Sequence, residues 1–323
     1  MKTTDNVLKL LENNTLPISG QQIADNLHIS RTAIWKAIKS LRENGYEIKS
    51  KPHVGYLLLD PPMLSEAFIR RNLTNKVPLK FELHDSLGST NLRAKELGTL
   101  PQTNEPQIVI SDQQTKGYGR YGRSFASPKQ TGIYLSILLQ NQQKHFDAGL
   151  LTTATATALC RAIEKKLGVK PGIKWVNDVL WKNKKVSGIL TEGITDIETG
   201  DLKQVVIGIG INYLTDPDTF TPELQQRATS LRSAVLAKNV SRNVFIAAFL
   251  DEFFNLYPNF NSSSFIQDYR KYCTTLGKRV TITQGSQTTT GTAQNITDTG
   301  ELVLNDGRIF SSGEITKIRS TQD

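Results

Sequence analysis

The sequence predicts an α+β chain of several domains: a small helical unit, then a mixed-sheet domain, then a short all-β segment. Three observations carry that expectation. Apolar residues recur at helical spacing as far as Leu41. Between Leu83 and Ile211, runs rich in Val and Ile read as strands joined by hairpins, with helical stretches interspersed. Beyond Thr275 only short strands and turn sequences follow. The 323-residue length suits a few domains of roughly 100–150 residues each.

In the first unit, Val7, Leu8, Leu10 and Leu11 form a helical stripe. Ser19 opens a second helix, Gln22 completes a capping box, and Ile23, Ala24 and Leu27 face inward. The tight connection His28-Ile29 leads to Ser30, an N-cap for a third helix. Ile34, Ile38 and Leu41 form its inner face, and Asn44-Gly45 ends it. Residues 46–50 and 56–59 alternate as two strands. Three helices plus a hairpin resemble a winged helix-turn-helix. In that reading Ser30, Arg31 and Thr32 open the recognition helix, whose N-terminal residues reach base edges. Trp35 lies on the same helix, Lys36 and Lys39 flank it for phosphates, and Lys49, Lys51 and His53 sit on the wing. Such small domains also mediate protein contacts. Charge decides weakly between the two, with eight Lys/Arg against six Asp/Glu in residues 1–60.

Asp60-Pro61-Pro62 is stiff and punctuates the chain. The expected domains are therefore 1–61, 62–274 and 275–323. In the second, helices are expected at 65–73, 92–97 and 150–167, the last ended by Gly168. Strands are expected near 81–83, at 133–139, 173–176 and 205–211. A hairpin of 179–181 with 186–191 turns around Asn183-Lys184. Residues 241–256 read as an amphipathic helix, continued helically at 265–272. The last segment holds strands at 279–283, 288–296, 301–304 and 309–311, spaced like a small β-barrel around the turns Asp298-Thr299-Gly300 and Asn305-Asp306-Gly307.

Composition sets further bounds. Hydrophobic residues make up 38% of the chain, and no apolar run approaches the ~18 residues of a membrane span. No signal-peptide pattern opens the chain, so a soluble, cytoplasmic protein without membrane partners is expected. Cys160 and Cys273 lie far apart without metal-ligand spacing, and no metal site is assigned. Net charge is +9, from 39 Lys/Arg and 30 Asp/Glu, which points to anionic partners such as DNA or nucleotides. The excess is local: residues 113–146 contain five Lys/Arg and no Asp or Glu.

At the start of that basic segment lies Gln113-Gln114-Thr115-Lys116-Gly117-Tyr118-Gly119-Arg120-Tyr121-Gly122-Arg123-Ser124-Phe125. Its glycines free the backbone, and Lys116, Arg120 and Arg123 stand between them, a combination suited to phosphate or carboxylate. A P-loop is excluded, since Arg123 replaces the lysine and Pro128 follows where a helix is required. By itself the stretch also reads as a flexible basic linker or a nucleic-acid-binding Gly/Arg segment. The surroundings narrow this. Ser89-Thr90-Asn91 lies upstream; Lys174-Trp175-Val176-Asn177-Asp178, Lys185-Val186-Ser187-Gly188-Ile189-Leu190, Gly208-Ile209-Gly210-Ile211-Asn212 and Arg227-Ala228-Thr229-Ser230-Leu231 follow in order. This ordered set resembles the biotin protein ligases from about Leu83 to the end of the chain, and the glycine-arginine loop looks like their adenylate-binding loop.

The resemblance implies a class II synthetase-like central domain, an SH3-like final domain, and a two-step reaction. Biotin's carboxylate attacks the α-phosphorus of ATP, with Mg²⁺ bridging ATP oxygens, and a lysine of a biotin carrier protein then attacks the biotinyl-adenylate. It also implies biotin-responsive repression at an inverted-repeat operator, by a homodimer when adenylate is bound. Ser89, Thr90 and Asn91 would bind the ureido group with Gln114 close by, although a helix N-cap is their ordinary reading. Arg120 is the first choice for the adenylate, because its fork takes two oxygens. Gly117, Tyr118, Gly119 and Arg123 belong to the same loop. Lys185 would act near the carboxylate and α-phosphate, or be a solvated hairpin lysine. Lys174 and Asp178 fall in one family block; Asp178 would receive the carrier lysine or help place ATP, or be a plain turn residue. Gly188 and Asn212 complete the set, Asn212 towards the nucleotide. Two positions depart from the family pattern: Val176 stands where proline is usual, and Tyr118 where arginine is common. A non-catalytic biotin-sensing repressor and a lipoate ligase are the competing functions.

Overall fold

The computed structural model describes residues 3–14, 16–52, 54–59, 63–100, 104–141, 146–196 and 198–319. The expected boundary at Asp60-Pro61-Pro62 and the wing residue His53 lie outside them. The chain forms two compact units, Met1–Thr74 with Ser241–Ala247, and Asn75–Val240 with Ala248–Asp323.

The first unit contains α1 (Thr3–Glu12), α2 (Gly20–Leu27), α3 (Arg31–Glu43), β1 (Ile48–Lys51), β2 (Gly55–Leu58) and α4 (Glu66–Asn72). Ser19 forms the full capping box with Gln22, and Ser30 Oγ accepts from the Ala33 N–H at 3.2 Å. His28 ends α2 in the left-handed region. Val7, Leu11, Ile23, Ile34, Ile38, Leu41, Ile48, Leu58 and Phe68 pack into one core. The hairpin is tied to that core, because Ile18 and Tyr56 exchange both backbone hydrogen bonds at 2.9 Å. Gly55 is required beside this bridge: its φ is +127°, and a Cβ would lie 2.3 Å from the Ile18 carbonyl oxygen.

The second unit holds β3 (Lys80–His84), α5 (Thr90–Gly98), β4 (Gln107–Ser111), β5 (Ile133–Gln140), α6 (Ala148–Leu167), β6 (Gly172–Lys174), β7 (Asp178–Trp181), β8 (Lys184–Thr195), β9 (Leu202–Ile211), α7 (Pro222–Arg227) and α8 (Arg232–Lys238). Next come α9 (Arg242–Leu256), which starts in the first unit, and α10 (Ile266–Tyr272). The strands form a seven-stranded sheet in the order β3-β4-β5-β9-β8-β7-β6. Only β3 and β4 are parallel, so the sheet is mixed, as expected. Then β10 (Arg279–Gln284), β11 (Gln287–Ile296), β12 (Leu302–Leu304), β13 (Ile309–Phe310) and β14 (Glu314–Arg319) make a five-stranded antiparallel sheet, ordered β13-β12-β11-β10-β14. This sheet is fastened to the rest of the unit by the Trp175 indole N–H on the Gly300 carbonyl (3.0 Å) and by Arg270 on the Ile296 carbonyl.

Several elements differ from expectation. The β7–β8 turn is Lys182-Asn183, both at positive φ, one residue earlier than read, and β8 runs on to Thr195. The strand expected at 173–176 stops at Lys174, because Trp175 turns away to bond Thr275 Oγ1 and Gly300; the Trp175–Val176 peptide is cis. Helix α9 is buried on nearly every side rather than amphipathic, with Phe245, Phe249, Leu250, Phe253 and Phe254 all inside. Helices α7 and α8 and strand β14 were not anticipated.

Candidate active site

A cavity of about 1070 Å³ opens on the seven-stranded sheet, and the sequence blocks converge on it. Ser89, Thr90, Asn91, Gln114, Tyr118, Gly119, Arg120, Arg123, Lys174, Asp178, Lys185, Gly188 and Asn212 all line it. Gly117 does not: it sits at the base of the glycine loop, where a Cβ would meet Phe125 O at 2.7 Å and Ser127 Oγ at 2.8 Å.

Glycines face one another in register along the floor. Gly188 of β8 pairs with Gly210 of β9, and Gly208 lies between Ser136 and Leu190. The space is used. A Cβ on Gly208 would lie 2.1 Å from Asn91 Oδ1, and one on Gly210 would lie 2.6 Å from the Phe125 ring. These glycines therefore admit Asn91 from α5 and Phe125 from the loop, rather than merely permitting strand packing.

One end of the cavity is lined by uncharged polar side chains, backed by an ion pair of Glu192 with Lys95. Ser89 is the N-cap of α5 by backbone geometry but makes no side-chain cap bond, which corrects the ordinary capping reading. The cap comes from elsewhere: Gln114 Oε1 accepts from the Thr90 N–H (2.9 Å) and hydroxyl (3.1 Å). Gln114 Nε2 in turn donates to Ser127 Oγ at 2.9 Å. Ser136 Oγ lies 2.8 Å from Thr90 Oγ1 and 2.6 Å from Asn91 Oδ1. Glu192 of β8 accepts from Asn91 Nδ2 (2.7 Å), the Tyr118 hydroxyl (2.9 Å) and Lys95 Nζ (2.6 Å). Burial works to raise the Glu192 pKa, but these donors outweigh it and hold the carboxyl below its usual range. Burial and then Glu192 push the Tyr118 phenol up.

The other end is cationic. The loop between Gly117 and Phe125 folds back as a narrow hairpin, with Phe125 N–H on Gly117 O and Gly119 N–H on Arg123 O. At its tip, Arg120 Nη1 donates to the Gly313 carbonyl (3.0 Å) and to Asn177 Oδ1 (3.3 Å). Arg123 forms a two-pronged pair with Glu314, one contact at 2.7 Å. Lys185 Nζ lies 2.5 Å from Asp178 Oδ1. Lys174 is half-buried; burial lowers its pKa more than Asp178 and Glu314 raise it. The charged lining is thus Arg120, Arg123, Lys174, Lys185 and Arg227 against Asp178 and Glu314, a site for an anion. Asn212 Nδ2 donates to Thr229 O at 2.9 Å, fastening the segment before α8 beside the cavity.

Sequence reasoning missed Glu192, Ser136 and Glu314, and gave no role to Phe125 and Asn177, which stand within its motif blocks. Their partners lie far along the chain: Glu192 is 101 residues from Asn91, and Glu314 is 191 from Arg123. Glu192 lies two residues beyond the Lys185–Leu190 block, and that proximity was the available signal.

In the first unit, α3 presents Arg31, Thr32, Trp35, Lys36 and Lys39 on its exposed side, opposite the buried Ile34, Ala37, Ile38 and Leu41. Trp35 is 57% exposed, and Lys39 Nζ sits 5.8 Å from its ring centroid. Ser30 is spent on capping, and Lys51 is exposed at the end of β1.

A cation-lined cavity on a glycine-floored mixed sheet, followed by a small antiparallel β domain and preceded by a helix-turn-helix unit, defines a nucleotide-using ligase fused to a DNA-binding module. Residues 83–212 match the Biotin/lipoate A/B protein ligase family, residues 275–317 the Biotin protein ligase C terminal domain, and residues 3–57 an HTH domain. The "Bifunctional ligase/repressor BirA" of Bacillus subtilis (strain 168) is 36% identical over 306 residues, covering 91% of this chain and 92% of the relative. The chain belongs to the biotin protein ligase family, among its bifunctional ligase/repressors. The protein of the same name from Escherichia coli (strain K12) is 27% identical, covering 97% of this chain and 100% of the relative. Among solved structures, a biotin protein ligase from Aquifex aeolicus in complex with biotin and ATP superposes with a TM-score of 0.59 at 23% identity, covering 75% of this chain and 99% of that one, a likeness of fold.

Proposed function

We propose that the protein joins biotin to one lysine of a biotin carrier protein through biotinyl-AMP, at the expense of ATP, and represses transcription from an operator when biotin is plentiful. The observation that supports this best is the convergence of both halves of the reaction on one cavity. Ser89, Thr90, Asn91 and Gln114 supply neutral donors and acceptors for a ureido ring at one end. Arg120, Lys174 and Lys185 supply positive charge at the other. In the first step a biotin carboxylate oxygen bonds to the α-phosphorus and pyrophosphate leaves. Two anions must meet, so lowering their repulsion and aligning them is the main task. Lys185 sits where it would bridge the carboxylate and α-phosphate once it parts from Asp178. Arg120 at the loop tip would hold the adenylate. In the second step the carrier amine attacks the acyl carbon, AMP leaves, and the amine's extra proton goes to a base; Asp178, freed from Lys185, is the carboxylate at hand.

Among the described residues there is no cluster of three His, Cys, Asp or Glu able to hold a metal ion. The cavity carboxylates, Asp178 and Glu314, are each engaged by a cation. These residues do not make a resident metal cage, so Mg²⁺ is assigned to the nucleotide, as an ion carried in on phosphate oxygens and water. No helix among the described residues is long and apolar enough to cross a membrane. We place the reaction in the cytoplasm, where carrier protein and operator are both reachable.

The test is incubation with biotin, ATP, Mg²⁺ and a carrier domain, with lipoate in a parallel reaction. Biotin on a single carrier lysine supports the reading. Lipoate transfer, or biotin binding without transfer, replaces it with a lipoate ligase or a non-catalytic sensor.

A further inference from the structure

Glu192 gathers donors from two separate parts of the fold. Asn91 and Lys95 come from α5, and Tyr118 comes from the shaft of the glycine loop. Below Tyr118 the loop is fastened at its base by backbone bonds, Thr115 N–H to Leu87 O and Lys116 N–H to Gly88 O, both 2.8 Å. Beyond it the tip is held by Gly313 and Glu314. The Tyr118 hydroxyl ties the shaft between those points to the sheet. Asn91 is equally constrained. Its Oδ1 lies beside Ser136 Oγ in the space left by Gly208, and its Nδ2 points at Glu192. A carboxylate accepts from all three donors at once; an amide at the same place brings donors of its own against them.

We propose that Glu192 is a positioning residue: it holds the loop shaft to the sheet through Tyr118 and sets which way the Asn91 amide faces, and thereby governs how long biotin and its adenylate stay bound. The inference rests on the ligase reading of the cavity. It also gives the departure at position 118 a role, since tyrosine has the reach and the hydroxyl to meet Glu192 at 2.9 Å.

Two variants test it. Tyr118→Phe removes one hydroxyl and leaves the Lys95–Glu192 pair alone; Glu192→Gln keeps the shape and changes the acceptor. Each is made in the full chain, checked by thermal melting, and loaded with biotin and ATP-Mg²⁺. Adenylate release is followed by chase, alongside biotin KM and single-turnover pyrophosphate release. A hydrogen bond to a charged acceptor sets the scale at roughly tenfold or more. Release and biotin KM should rise by that factor in both variants, exceeding any slowing of pyrophosphate release. The double variant should fall well short of the product of the singles, because both act on the same contact. Wild-type release from folded Tyr118→Phe overturns the inference, as does full multiplicativity of the two effects. A wild-type chain that forms no adenylate at all overturns the ligase reading and this inference with it.

Discussion

At the scale of single residues, the proposed reaction separates residues that hold the adenylate from residues that form it. Arg120 reaches neutral oxygens at the tip of the loop, the Gly313 carbonyl and Asn177 Oδ1, so its charge is available to an anion. Arg120→Ala should release adenylate about 10- to 150-fold faster, the range for a charge-assisted bond of roughly 1.5–3 kcal/mol. Escaped adenylate should then acylate unrelated lysines. Unchanged release would remove Arg120 from the adenylate site. Lys185→Ala should slow pyrophosphate release itself, and a normal rate there would show that the Lys185–Asp178 pair is structural. Lys174 gives a pH handle. Burial lowers its pKa, so it sheds its proton at lower pH than an ordinary lysine. Below the lowered folded value both states are protonated and the cost of burying the charge is fully present. As pH rises through that value the folded state loses the proton first, and stability increases. Activity should move the opposite way if the charge serves ATP. Lys174→Arg should then carry the alkaline limb of the pyrophosphate-release profile to higher pH, whereas coincident limbs would rule out that role.

At the scale of elements, what was legible followed local chemistry. Ser19, Ser30 and Gly168 marked helix ends by capping, and runs of Val and Ile marked β5 and β9. What was illegible depended on distant partners. Trp175 leaves its strand for Gly300, 125 residues away, and α9 is buried on faces that no spacing rule reveals. The short α7 did carry a local signal, Thr221 as cap with Pro222 at the first turn. The site shows the same division. Cations and glycines were visible because their chemistry is local, whereas Glu192 and Glu314 acquire a role only through contacts made in space. Helix α3 allows a test of element-level reading. Arg31→Ala should cost roughly 1–3 kcal/mol of discrimination between operator and random DNA, if this first-turn residue reads a base edge. Lys51→Ala, on the wing, should weaken both DNAs alike and lower the salt slope by about one unit. Fluorescence anisotropy at several salt concentrations separates the two. Sequence-selective loss from Lys51 but not Arg31 would reverse the assignment of helix and wing.

At the scale of the whole molecule, two sites must communicate if biotin supply is to control transcription. One winged unit offers a small DNA contact, and an inverted repeat calls for two copies. Two copies of a chain with net charge +9 repel, so bringing them together on the ligase unit costs electrostatic free energy. The basic excess of residues 113–146 had no acid within its own sequence, yet in space Glu314 answers Arg123. Arg120, Lys174 and Lys185 still face a shared cavity, and on the proposed reading an anionic adenylate there would neutralise charge and add a further hold on the loop tip. If that surface meets its counterpart in a second copy, adenylate stabilises the dimer, and by reciprocity dimerisation and operator binding strengthen adenylate binding. A coupling of about 1–3 kcal/mol would tighten dimerisation roughly 5- to 150-fold. Sedimentation equilibrium with and without biotin plus ATP measures it, and repeating it at high salt should narrow the difference where charge neutralisation is the cause. A monomer–dimer constant indifferent to ligand, together with unchanged operator affinity, would leave the ligase intact and end the case for a biotin-responsive repressor.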